Sequence, residues 1–156
     1  MRRYLARQKW VRAAQPQQTM IDIPTPAPTA IQLPFFEAAN ASTIELFAGH
    51  LVTLDDNVPF AVTTPFNAFD VDLIGVIIEG GMPGETVKVQ YRDVVDVLFS
   101  TSPVRIGQFV YSAFNSPVAT TATGAFIGAI GRVLEGKAAG QQERLKVLLA
   151  GGLGVF

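Results

Sequence analysis

The chain has no cysteine and a single histidine among its 156 residues. Without cysteine there can be no disulfide framework, thiolate metal site or cysteine nucleophile. A catalytic triad or histidine-based metal centre would have to be built around His50 alone. That residue stands in "AGHLV", where a strand-edge or interface role is expected. Charge is also scarce, at 16% of residues, against about 25% in ordinary soluble domains. So little polar coating on an ordinary monomer would leave apolar patches, which usually mark contacts with other chains. A subunit of an assembly is therefore expected. No apolar run reaches the ~18 residues needed to cross a bilayer. No continuous apolar stretch follows the basic N-terminus, so a secretory signal is not expected either.

Acid is missing from one place in particular. Residues 1–20 contain Arg2, Arg3, Arg7, Lys9 and Arg12 and no Asp or Glu, a net of +5. The remaining seven basic residues face all thirteen acids, a net of −6 for residues 21–156. A positive tip on an acidic body predicts docking of the tip on an acidic protein surface. Tyr4 and Trp10 among these cations could also stack on bases or sit at a membrane. Five charges are few for either role, however, and an acidic body would be repelled by both. Neither nucleic acid nor membrane is expected as a partner.

Residues 1–42 read as an extended arm. "RRYLARQKWVRAA" allows a short helix, but its apolar residues make no clean stripe. The following "QPQQTMIDIPTPAPTAIQLPFF" holds half of the ten prolines. Alternating proline forbids helix and removes backbone donors, so the segment should lie near polyproline II. Ile21, Ile23, Ile31, Leu33, Phe35 and Phe36 are interleaved with those prolines. A purely solvated linker would be polar there, so these residues, with the basic tip, are the expected partner contacts.

From residue 43 onward the texture is that of strands. "LIGVIIE" (73–79), "TVKVQY" (86–91), "VVDVLFS" (94–100), "QFVYSAF" (108–114), "AFIGAIGRVLE" (125–135) and "RLKVLLA" (144–150) are short and rich in Val, Ile and aromatics. Turn residues separate them at roughly 8–12-residue spacing, which predicts an all-β barrel or sandwich. In "TVKVQY", Val87 and Val89 share one face. Two helices compete with this reading. Ser42-x-x-Glu45 is a formal capping box for a helix at 43–48. "GRVLEGKAAGQQERLKVLL" could also be helical, at a cost of about 1 kcal/mol for each internal Gly.

The chain also repeats itself. "GHLVTLDDNVPFAVTT" and "GQFVYSAFNSPVATT" match at Gly49/Gly107, Val52/Val110, Asn57/Asn115, Pro59/Pro117, Ala61/Ala119 and Thr63/Thr121. "LIGVIIEGGMPGETVKV" echoes "FIGAIGRVLEGKAAGQQERLKV" through Gly75/Gly128, Glu79/Glu135, Gly80/Gly136 and Lys88/Lys146. The β domain, residues 43–156, is therefore read as two copies of one unit, approximately 45–100 and 103–150. Each copy would turn at Asn-x-Pro.

Catalytic signatures are weak. Asp55, Asp56, Asp70 and Asp72 could hold a hard cation, but solvated turn acids are the ordinary reading. "EGGMPGE" lacks the Lys-Ser/Thr of a P-loop and reads as a hairpin turn. No enzyme activity, cofactor or metal is expected.

The Gly-x-x-Val, Ile-Gly and terminal Val-Leu-Leu (147–149) patterns over residues 45–150 resemble the small capsid decoration (cement) proteins of tailed bacteriophages. The resemblance implies a β-barrel or β-tulip-like fold and a homotrimer on the outside of the virion. It implies the major capsid protein as partner, with an N-terminal arm crossing neighbouring capsid subunits. The rival reading is a β-barrel module that recognises carbohydrate or peptide. Phe35, Phe36, Phe60, Phe66 and Phe69 gathered in one open groove would favour it.

Overall fold

The structure, a computed structural model, describes residues 33–124 and 127–150. All ten elements are strands. Five of them, β1 (Phe35–Asn40), β2 (Leu51–Leu54), β3 (Ala61–Thr63), β4 (Leu73–Glu79) and β5 (Thr86–Gln90), close a first barrel in the order β1-β3-β2-β4-β5. The other five, β6 (Arg92–Phe99), β7 (Phe109–Ala113), β8 (Ser116–Ala122), β9 (Gly131–Val133) and β10 (Glu143–Ala150), close a second in the order β6-β8-β7-β9-β10. The first strand of each barrel pairs parallel to its third and antiparallel to its fifth. The expected all-β barrel architecture is thus present as two barrels of one topology.

Strand chemistry explains which face turns inward. Along β10, Leu145, Val147 and Leu149 are buried while Arg144, Lys146 and Leu148 alternate with them toward solvent. Val87 and Val89 of β5 point together into the first barrel, as their spacing requires. Ala38, Leu46, Val52, Val62 and Ile77 complete that interior. Each of the valines, leucines and isoleucines among them contributes about 1.5–3 kcal/mol on leaving water.

The expected boundary after residue 42 leaves β1 on the arm's side. Phe36↔Val89 and Ala38↔Val87 pairing places residues 35–40 in the first barrel instead. Neither competing helix forms. The Ser42 hydroxyl donates to Asn40 Oδ1 at 2.6 Å with no helix following it, and Leu46 bridges Gly81. The 131–149 stretch carries β9 and most of β10 instead of a helix.

Strand register also revises the residue matches. Val52 faces Gly75 in the first barrel, and Val110 faces Gly131 in the second. Gly131, three residues beyond Gly128, is therefore the counterpart of Gly75. Asn57 and Pro59 belong to the long β2–β3 loop, whereas Asn115 forms a tight turn and Pro117 already lies in β8. The Asn-x-Pro likeness does not describe one shared turn.

Candidate interaction surface

The two barrels meet along a seam built from the outer faces of β2 and β4. Strand alternation sends Val52 and Ile77 into the first barrel, and Leu51 and Val76 the opposite way. There, with Leu73, they join Val97, Phe99 and Val147 in one buried cluster. Polar groups lock the same seam. Gly49 adopts φ 98°, a conformation open to glycine, and its carbonyl accepts from Leu98 N at 2.9 Å. Arg144 donates from Nε and Nη2 to the Ala48 carbonyl at 3.0 and 2.8 Å. The fully buried Ser112 of β7 accepts from Asp70 N at 2.8 Å and donates to the Asn67 carbonyl at 2.9 Å.

His50 lies beside this seam and is buried. Its Nδ1 accepts from Phe47 N at 3.1 Å, and the Phe47 ring meets it edge-on at 5.5 Å. Burial lowers its pKa below the ordinary imidazole value, and the Arg144 charge lowers it further. A neutral imidazole with an occupied acceptor packs beside the seam. Among the described residues, no group of three or more His, Asp or Glu converges as a metal site.

Clefts open on the surface of the described residues, two of them beside the features above. One, about 270 Å³, lies between the barrels and is lined mainly by Gly49, Ile77, Ile78, Val95, Asp96 and Arg144. The other, about 320 Å³, lies on the first barrel. Asp55, Asp56, Asp70 and Asp72 all border it, with Thr53, Asn57, Asn67 and Phe66. The four aspartates that stood apart in the sequence thus surround one cleft without forming a cation cage.

Of the expected partner contacts, Arg2, Arg3, Tyr4, Arg7, Lys9, Trp10, Arg12, Ile21, Ile23 and Ile31 lie outside the described residues. Leu33 is exposed. Phe35 and Phe36 belong to β1, with Lys88 Nζ 5.0 Å from the Phe35 ring and Phe36 packed on the first core. The phenylalanines of the rival reading have separate neighbours. Phe36 meets Tyr91, Phe69 meets Tyr111 at 4.8 Å, and Phe66 meets Phe114 at 5.8 Å. Phe60 is 90% exposed and carries a left-handed backbone, φ 54°. Phe114 and Ile127 are exposed too, and sequence reasoning missed both. A bulky residue just before a turn Asn was the available signal for Phe114.

Fold and surface together define an all-β protein of paired five-stranded barrels. No protein-family model matches the chain, and no curated protein matches it. A solved structure does: the crystal structure of the head fiber gp8.5 N base in bacteriophage phi29. The likeness has a TM-score of 0.52 at 12% identity and covers 76% of this chain and 94% of that one. At that identity the shared property is the fold.

Proposed function

We propose that this chain is a structural protein of a bacteriophage head. It decorates the capsid exterior as a homotrimer bound to major capsid protein, without catalysis, and its N-terminal arm reaches over neighbouring subunits. The observation that carries the reading is the fold shared with a phage head fiber base. The sequence resemblance to decoration proteins, the scarce charge and the exposed Phe60, Phe66, Phe114 and Ile127 support it. A fiber base and a cement subunit are both head accessories, so the cement role rests on the arm. Its basic tip would contribute long-range attraction to an acidic capsid surface. Its prolines, with φ already fixed, would lose less entropy on ordering.

The test is to delete residues 1–33, which leaves every strand in place, and to measure cosedimentation with expanded heads that lack the protein. Binding should fall at least tenfold, and more steeply at low salt, where the tip's charges count most. Undiminished binding would refute the arm's role. A full-length chain that never cosediments would refute the head assignment.

A further inference from the structure

We propose that the cleft on the first barrel is a binding site for a neutral carbohydrate of one or two rings. Its volume, about 320 Å³, falls at the low end of small-molecule sites, roughly 300–1,000 Å³. The cleft is polar, but one wall is an aromatic ring, Phe66, which is 63% exposed. That ring is braced rather than loose. Phe114 of the second barrel meets it at 5.8 Å, and the Phe66 carbonyl accepts from Asn115 N at 2.8 Å. The rest of the lining is rich in acceptors. Asp55 Oδ2 accepts from the backbone of Asn57 and Val58, and Asp70 Oδ1 from that of Asp72, so these two carboxylates shape the loops. Among the described residues, the carboxylates of Asp56 and Asp72 and the side-chain amides of Asn57 and Asn67 have no protein partner. They line the same cleft.

A pyranose matches this arrangement because it has two kinds of surface. Its C–H face can lie on an aromatic ring, and its rim hydroxyls donate to carboxylates in charge-assisted hydrogen bonds. A divalent cation fits less well, because the acids do not converge on one point. An anionic sugar or phosphate would meet four carboxylates of its own sign. The inference goes beyond the head-structural reading and does not depend on it, since the cleft lies wholly outside the arm.

Saturation-transfer NMR on the full chain tests it, with maltose, cellobiose, lactose and N,N′-diacetylchitobiose at millimolar concentration. Glucuronate and pentalysine serve as comparison ligands. At least one neutral disaccharide should receive saturation. Phe66→Ala and Asp72→Asn should each weaken its binding tenfold or more, while Phe60→Ala leaves it unchanged. Asp56→Asn, an exposed substitution, gives a second reading should Phe66→Ala fail to fold. Transfer to none of the four disaccharides, or binding that survives both Phe66→Ala and Asp72→Asn, overturns the proposal. So does binding of pentalysine alone, which would mark the cleft as a site for a basic peptide. Head cosedimentation of Asp72→Asn should match that of the unsubstituted chain, which keeps this outcome separate from that of the arm deletion.

Discussion

Gly75 and Gly131 occupy equivalent places, each where a strand crosses its neighbour too closely for a side chain. A Cβ on Gly75 would sit 2.5 Å from the Gln90 carbonyl oxygen and 2.6 Å from Val89 Cγ1. One on Gly131 would meet the Leu148 carbonyl, and Val147 Cγ1 at 2.8 Å. Backbone cannot move aside as a flexible side chain can, so Gly75→Ala and Gly131→Ala should each cost about 1–3 kcal/mol. Urea denaturation measures this, and wild-type stability in both variants would contradict the close approach. His50 yields a second residue-scale expectation. Its folded pKa lies below the ordinary value because of burial and then Arg144. The unfolded chain therefore binds a proton near pH 6.5 that the folded chain refuses. Stability from this group is complete above that pH and is lost as pH falls through it toward the folded value. Melting temperature should drop between pH 7.5 and 5.5, and less so in His50→Asn, which keeps an acceptor for Phe47 N but does not titrate.

At the scale of elements, β1 decides how the N-terminal region can be cut. Removing residues 1–33 should leave the melting temperature within a degree or two. Removing residues 1–40 takes away the strand that joins β3 to β5, opens the first barrel and should unfold it, as circular dichroism would show. The sequence hid β1 for a physical reason. "FFEAAN" follows Pro34 directly and has small residues where a core strand usually has branched ones. β3 has three residues, and β8, "SPVATTA", is mostly hydroxylated and small. The Val-, Ile- and Leu-rich β4, β5, β6 and β10 were legible because burial at alternate positions leaves a direct trace in composition. The cleft was half legible. Its aspartates were singled out, but Phe66 and Phe114 come together only through the packing of one barrel on the other. Ser112 is the clearest case of that dependence, since its partners lie more than forty positions away. Ser112→Ala would leave Asp70 N and the Asn67 carbonyl without their partner, at about 1–3 kcal/mol. Equal stability of variant and wild type would argue against the seam as described.

The whole molecule should behave as one cooperative unit despite its two barrels. Leu51, Leu73 and Val76 of the first barrel are buried among residues of the second, so neither barrel can open without exposing the other's apolar surface. Urea unfolding should be a single transition. Far-ultraviolet dichroism and tyrosine fluorescence should coincide, as tests of two-state behaviour require. Two separated transitions would show that the barrels are energetically independent.

Both sheets close on themselves, so among the described residues every strand has a neighbour on each side, although β6 and β8 pair only at Phe99↔Ala119. A partner finds no free edge strand to extend, and protruding side chains and connecting segments offer it more to grip. Those connections are therefore free to change from one variant to the next, or to accept an inserted peptide at the solvent-facing turn around Gly140, without unpairing a strand. Such a scaffold separates what keeps the protein folded from what it shows to the outside.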